Sequence, residues 1–73
     1  MDVAQAFGKV LREKRLEAGL TQEQLSLEAG VRRTFVSLLE LGEQQPTLTT
    51  ITKLAEALNM KPSTLIERFE ELL

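Results

Sequence analysis

The sequence has no cysteine, histidine, tryptophan or tyrosine, and each absence removes a class of chemistry. Without thiols there is no disulfide, iron-sulfur or thiolate-zinc site; without imidazole the usual metal ligand and general base are gone. No metal site, cofactor or small-molecule ligand is therefore expected. Three phenylalanines are the only aromatics, too few for ring-stacking recognition of single strands or RNA. No apolar run approaches the roughly 18 to 20 residues that span a bilayer, and the N-terminus lacks the basic-then-apolar profile of a signal peptide. A soluble, cytoplasmic protein with no membrane partner is expected. A charge excess is missing too. Nine Lys and Arg stand against eleven Asp and Glu, a net charge of −2, so any polyanion-binding face must be local.

What is present reads as helix. With 73 residues there is room for one small domain, residues 1–73. So short a chain needs a partner or very regular helix packing to be stable. Hydrophobic residues make up 42%, and strand-like alternation is absent. The first helix is expected from about Val3 to Ala18, with Phe7, Val10, Leu11 and Ala18 on one face, stopped by Gly19. Thr21 then caps a second helix. Gln24, three residues on, completes a capping box, and Leu20 and Leu25 stand where a hydrophobic staple stands. Gly30 ends that helix after Ala29. A third helix follows over roughly Arg32 to Leu41, with Val36 and Leu39 inward and Gly42 as its stop. Thr47 can cap a fourth helix with Leu48, Ile51, Leu54, Ala55 and Leu58 inward. Pro62 suits the first turn of a fifth, at about 62–73. The expectation is an all-α, compact five-helix domain.

Two short helices joined by a Gly-containing turn form a helix-turn-helix. Thr21-Gln22-Glu23-Gln24-Leu25, then Ala29-Gly30-Val31, then Val36, Leu39, Glu40 and Gly42 together resemble the DNA-binding domain of the phage repressor and Cro family, also called the xenobiotic-response-element family. The resemblance covers about Phe7 to Ile66 and implies a lambda-repressor-like fold. Within it, Arg33-Thr34-Phe35-Val36-Ser37 is similar to the recognition segment of restriction-modification controller proteins. It further implies that Arg15 and Glu40 are a structural ion pair rather than DNA contacts. The sequence departs from the family at Leu41, where Arg, Lys or Asn is common, and at Glu43-Gln44-Gln45, where basic residues are common. Fewer phosphate contacts and a shallower salt dependence should follow.

Physical chemistry points the same way. A helix fits the major groove of B-DNA, and outward residues near its N-terminus reach base edges. Helix three offers Arg32, Arg33, Thr34, Ser37 and Leu38 as base readers, with Arg33 and Thr34 foremost. No acidic residue lies between Glu28 and Glu40. Gln22 can present its amide and backbone N–H to a phosphate at the start of helix two. Phe35 and Gln44 are further phosphate candidates. Lys9, Arg12 and Lys14, interleaved with Glu13 and Glu17, read as a solvated charged face. The surface carboxylates Glu67, Glu70 and Glu71 lack any accompanying pocket, so no enzyme is expected.

Helix five carries a stripe too wide for packing on one small neighbour. Leu65, Phe69, Leu72 and Leu73 are therefore expected at a homodimer interface that sets two recognition helices about 34 Å apart. The reading is a regulator that binds a palindromic double-stranded operator as a dimer. A protein-interaction module, antitoxin-like or adaptor, using the Leu38 and Leu41 face stays open beside it.

Overall fold

The computed structural model describes Met1–Leu73. Five helices succeed one another: α1 Val3–Glu17, α2 Gln22–Ala29, α3 Arg33–Glu40, α4 Leu48–Ala57 and α5 Pro62–Glu71. Four of the five starts have a local cause, and α3 opens without a side-chain cap. Asp2, which the sequence reading did not assign, caps α1 by accepting from Gln5 N–H at 2.8 Å. Thr21 and Gln24 bond reciprocally, Thr21 N–H to Gln24 Oε1 at 2.8 Å and Gln24 N–H to Thr21 Oγ1 at 3.0 Å. Thr47 accepts from Thr50 N–H at 3.1 Å to open α4. Pro62 occupies the first turn of α5, where its missing N–H has no helical partner to lose.

The helix ends are equally local. Gly30 closes α2 in the left-handed conformation at φ +70°, which a residue with a Cβ adopts only at some cost. Asn59 follows α4 at φ +57°, a left-handed turn that asparagine tolerates better than most residues.

Eleven buried side chains form the core: Phe7, Val10 and Leu11 from α1, Leu25 and Ala29 from α2, Val36 and Leu39 from α3, Leu54 and Ala55 from α4, then Leu58 and Leu65. α1 packs on α3 and α5, α2 on α3 and α4, and α4 on α5. The principal extents are 29 × 23 × 22 Å. No helix is long and apolar enough to cross a membrane.

Three expectations need correction. Helix three is shorter by a residue at each end, with Arg32 as N-cap and Leu41 as C-cap. Leu48, expected inward, is 82% exposed. It is the first residue of α4, and helical Cα–Cβ bonds lean toward the N-terminus, so its side chain overhangs the packed layer that begins with Ile51. Ala18 is exposed at the α1 C-cap, whereas Ala6 and Gly8 are buried.

Gly8 is buried because α1 crosses the end of α3 there at close range. A Cβ at this position would lie 2.3 Å from the Leu39 carbonyl oxygen and 2.8 Å from that of Glu40. Both neighbours are backbone, so neither can swing away. A glycine inside a helical pattern is the sequence signal for such a crossing.

Candidate nucleic-acid interface

The α2–α3 pair is held by one carboxylate. Glu40, at the end of α3, accepts from Arg15 Nε at 2.7 Å and from Arg15 Nη2 at 3.0 Å, a two-pronged pair between α1 and α3. The third guanidinium nitrogen, Nη1, donates to Leu20 O at 2.9 Å. The side chains are only 10% and 5% exposed, so the pair lies in a medium where charge-assisted bonds are strong. The bond to Glu40 raises the Arg15 pKa above its ordinary value, and the cation stays charged throughout the working range. Glu40 Oε1 also accepts from Gln22 Nε2 at 3.1 Å. The start of α2, the end of α3 and the middle of α1 therefore share a single anchor.

This contact alters the expectation for Gln22. Its amide nitrogen, assigned to a phosphate from the sequence, is engaged with Glu40. What remains for a ligand is its Oε1 and the backbone N–H groups of Gln22 and Glu23, which make no backbone hydrogen bond. Gln22, Arg33, Thr34 and Ser37 line one shallow depression, and a second is lined by Arg15, Thr21, Gln22, Glu23 and Arg33. The two meet at Gln22 and Arg33. The N-termini of α2 and α3 thus open onto a common surface with positive dipole ends, although Glu23 brings a carboxylate to one rim.

On α3 itself, Val36 and Leu39 face the core with no exposed surface. Arg32, Arg33 and Thr34 are exposed, and Ser37 and Leu38 are half-buried. Arg32 makes no side-chain cap bond, and neither Arg32 nor Arg33 has a carboxylate within salt-bridge distance. Two unpaired cations at the positive end of a helix are unfavourable by several tenths of a kcal/mol each. An external anion would reverse that sign.

Phe35 does not belong with the phosphate candidates. Its ring is half-buried against the core, and its N–H donates to Arg32 O at 3.0 Å, so it offers no free donor. Gln44 is exposed in the loop before Pro46, with Glu43 beside it.

The charged face of α1 also differs from expectation. Glu13 is drawn across to α5, accepting from Arg68 Nε at 3.1 Å and Nη2 at 3.2 Å, and Lys14 pairs with Glu17 at 3.4 Å. Lys9 and Arg12 keep no partner. Nothing in the local sequence signals the Glu13–Arg68 pair, which joins residues 55 apart.

The α5 surface needs one correction. Leu65 is fully buried in the chain's own core and has no area to give a partner. Phe69 packs edge-on to Phe7, with ring centroids 6.3 Å apart and planes at 63°, and Phe69 and Leu72 are half-buried. Leu73 is 62% exposed. The available apolar surface is therefore the outer part of Ile66, Phe69 and Leu72 together with Leu73.

Residues 11–65 match the sequence pattern of a family described as helix-turn-helix. The chain is 34% identical over 71 residues to an uncharacterized HTH-type transcriptional regulator, y4dJ, of Sinorhizobium fredii, covering 97% of this chain and 92% of that protein. It is 34% identical over 62 residues to control protein C.BamHI of Bacillus amyloliquefaciens, covering 84% of this chain and 76% of the relative. The crystal structure of restriction-modification controller protein C.AhdI from Aeromonas hydrophila superimposes with a TM-score of 0.82 at 40% identity, over 85% of this chain and 94% of that one.

Proposed function

The chain belongs to the helix-turn-helix family, and from that premise we propose that it is a transcriptional regulator that reads double-stranded DNA with α3 in the major groove. The observation that carries this reading is the outward side of α3. There Arg33 and Thr34 stand free on a helix whose opposite side is locked into the core. An arginine reads guanine O6 and N7 through two parallel bonds, and a threonine meets a thymine methyl or a polar base edge. The Arg15–Glu40–Gln22 cluster is a positioning device: it sets the angle at which α2 delivers its N-terminal amides to the phosphates flanking the groove.

The residues form one regulatory domain acting as a homodimer in the cytoplasm, without catalysis. The α5 surface around Leu73 is the two-fold contact. A unit of 29 × 23 × 22 Å, paired about a two-fold axis, is of the size needed to set two α3 helices about 34 Å apart, one turn of DNA. Regulation in this reading follows from occupancy: the dimer concentration sets how often the operator is filled. The loop after Gly42, with Glu43, Gln44 and Gln45, adds no cation, so the salt dependence of binding is shallow for this family.

Selection from randomised duplexes at about 0.15 M salt, where non-specific attraction is weakened, tests the reading. A two-fold symmetric motif should be enriched. Arg33→Ala should weaken binding to it by about 1 to 3 kcal/mol and relax preference at one base pair per half-site. No enrichment of any motif defeats the proposal, and enrichment with unchanged selectivity in the variant removes Arg33 from the reader's role.

A further inference from the structure

The outward side of α3 carries two parallel strips of different chemistry. Arg33 and Ser37, four residues apart, form a polar strip that borders the depression shared with Gln22. Thr34, Leu38 and Leu41 follow at i, i+4 and i+7, so the threonine γ-methyl and two leucines align on the same side of the helix. Leu41 keeps helical φ and ψ as the C-cap, which holds it in phase. It is 66% exposed, and Leu38 is half-buried. Core packing thus accounts for part of Leu38 and very little of Leu41.

The surroundings decide the occupant. The strip starts beside two unpaired arginines, and no carboxylate belongs to the segment between Glu28 and Glu40, so the Thr34–Leu38 part is complementary to a polyanion. Beside Leu41, the Glu40 carboxylate is turned inward onto Arg15, and Glu43 is the one exposed carboxylate near that end. From Thr34 to Leu41 the helix rises about 10 Å, which spans about three base-pair steps at 3.4 Å each. Within the major groove the exposed apolar group is the C5-methyl of thymine, and a 5-methylcytosine carries a methyl at the same place. Resting on the DNA reading above, we infer that Leu38 and Leu41 recognise pyrimidine C5-methyl groups. The half-site then pairs a guanine read by Arg33 with thymines read by the leucine strip. Cytosine methylation within that stretch changes occupancy.

Uracil substitution tests this without altering the protein. In the duplex enriched by selection, each thymine is replaced in turn by uracil, which keeps every hydrogen-bonding group and removes only the methyl. Affinity should fall about fourfold at one or more positions, the value of one buried methyl group. At the same positions 5-methylcytosine should bind more tightly than cytosine by a similar factor. In Leu38→Ala and Leu41→Ala, checked for folding by circular dichroism, the uracil effect at the corresponding position should vanish.

Selective binding in which every thymine can be replaced without loss overturns the inference while leaving the DNA reading intact. Failure to select any duplex overturns both. If Leu41→Ala instead changes self-association in sedimentation and leaves the uracil effect unchanged, the strip belongs to a protein contact and the inference fails.

Discussion

Gly8 of α1 lies against the carbonyl oxygen of Leu39, so closely that a Cβ would come within 2.3 Å of it. This contact sets how deeply α1 and α3 interpenetrate, and with it the distance over which Arg15 reaches Glu40. Alanine is favoured over glycine in an isolated helix by about 1 kcal/mol. Here the overlap with fixed backbone should outweigh that gain. Gly8→Ala is expected to lower stability by about 1 to 3 kcal/mol net, measured by urea unfolding. A variant as stable as the parent would rule out the close crossing.

Removing the Glu40 carboxylate leaves the Arg15 guanidinium buried without a counter-charge. Glu40→Ala should lose about 3 to 5 kcal/mol, a large part of the stability of a small domain. The double variant Arg15→Leu with Glu40→Leu should recover much of the loss, because an uncompensated buried charge costs more than an apolar pair. If the double variant is no better than Glu40→Ala, the single loss comes from packing and not from charge.

The Glu13–Arg68 pair makes stability depend on pH. Hydrogen bonds from Arg68 hold the Glu13 carboxyl below its ordinary value, with further attraction from the Arg68, Lys14 and Lys9 charges against an opposing effect of burial. A folded-state value below the unfolded one means that the contribution is complete above the unfolded carboxylate range. It is lost as the pH falls through the folded value. Glu13→Gln should therefore melt below the parent at neutral pH, and the gap should close as the pH drops below about 4. High salt should narrow it too, since both side chains are about one-third exposed and reachable by screening ions. A gap independent of pH and salt would assign the effect to shape alone.

Leu73 is a better probe of self-association than Phe69. Phe69→Glu would break the edge-on contact with Phe7 and confuse assembly with folding. Leu73→Glu touches a residue already mostly in solvent. The parent should sediment as a dimer and melt at a temperature that rises with protein concentration. The variant should sediment as a monomer with a concentration-independent transition. A parent that stays monomeric at the concentrations where it fills its DNA site would refute the α5 dimer.

Much of this architecture is legible in residue order because its determinants are local. Thr21 and Gln24 form a capping box three residues apart, Gly30 ends α2 by its own backbone freedom, and Val36 and Leu39 are inward by helical phase alone. The positions that sequence reasoning misplaced are those whose fate depends on a distant partner. Leu48 has the right phase but overhangs the end of the core. Leu65 has the composition of an interface residue but fills the space between α5 and the rest of the chain. Phe35 lies among the base readers in sequence and turns toward the core.

By itself, then, the order of residues determined the five helices, the capping box and glycine that bound α2, and the identity of the segment that offers Arg33 and Thr34. Caps, glycine turns and helical periodicity act over three to seven residues, and no long-range information is needed to read them. Only the tertiary structure decided which charges stay free and which side chains stay dry. The crossing at Gly8 brings α1 onto α3, and the return of α5 brings Arg68 to Glu13 across 55 residues. Both turn on the distance between side chains far apart in the chain, a quantity that packing sets and sequence spacing does not. The same packing ties Gln22 to Glu40, leaves Lys9 and Arg12 unpaired, and exposes a leucine strip beside the arginines of α3.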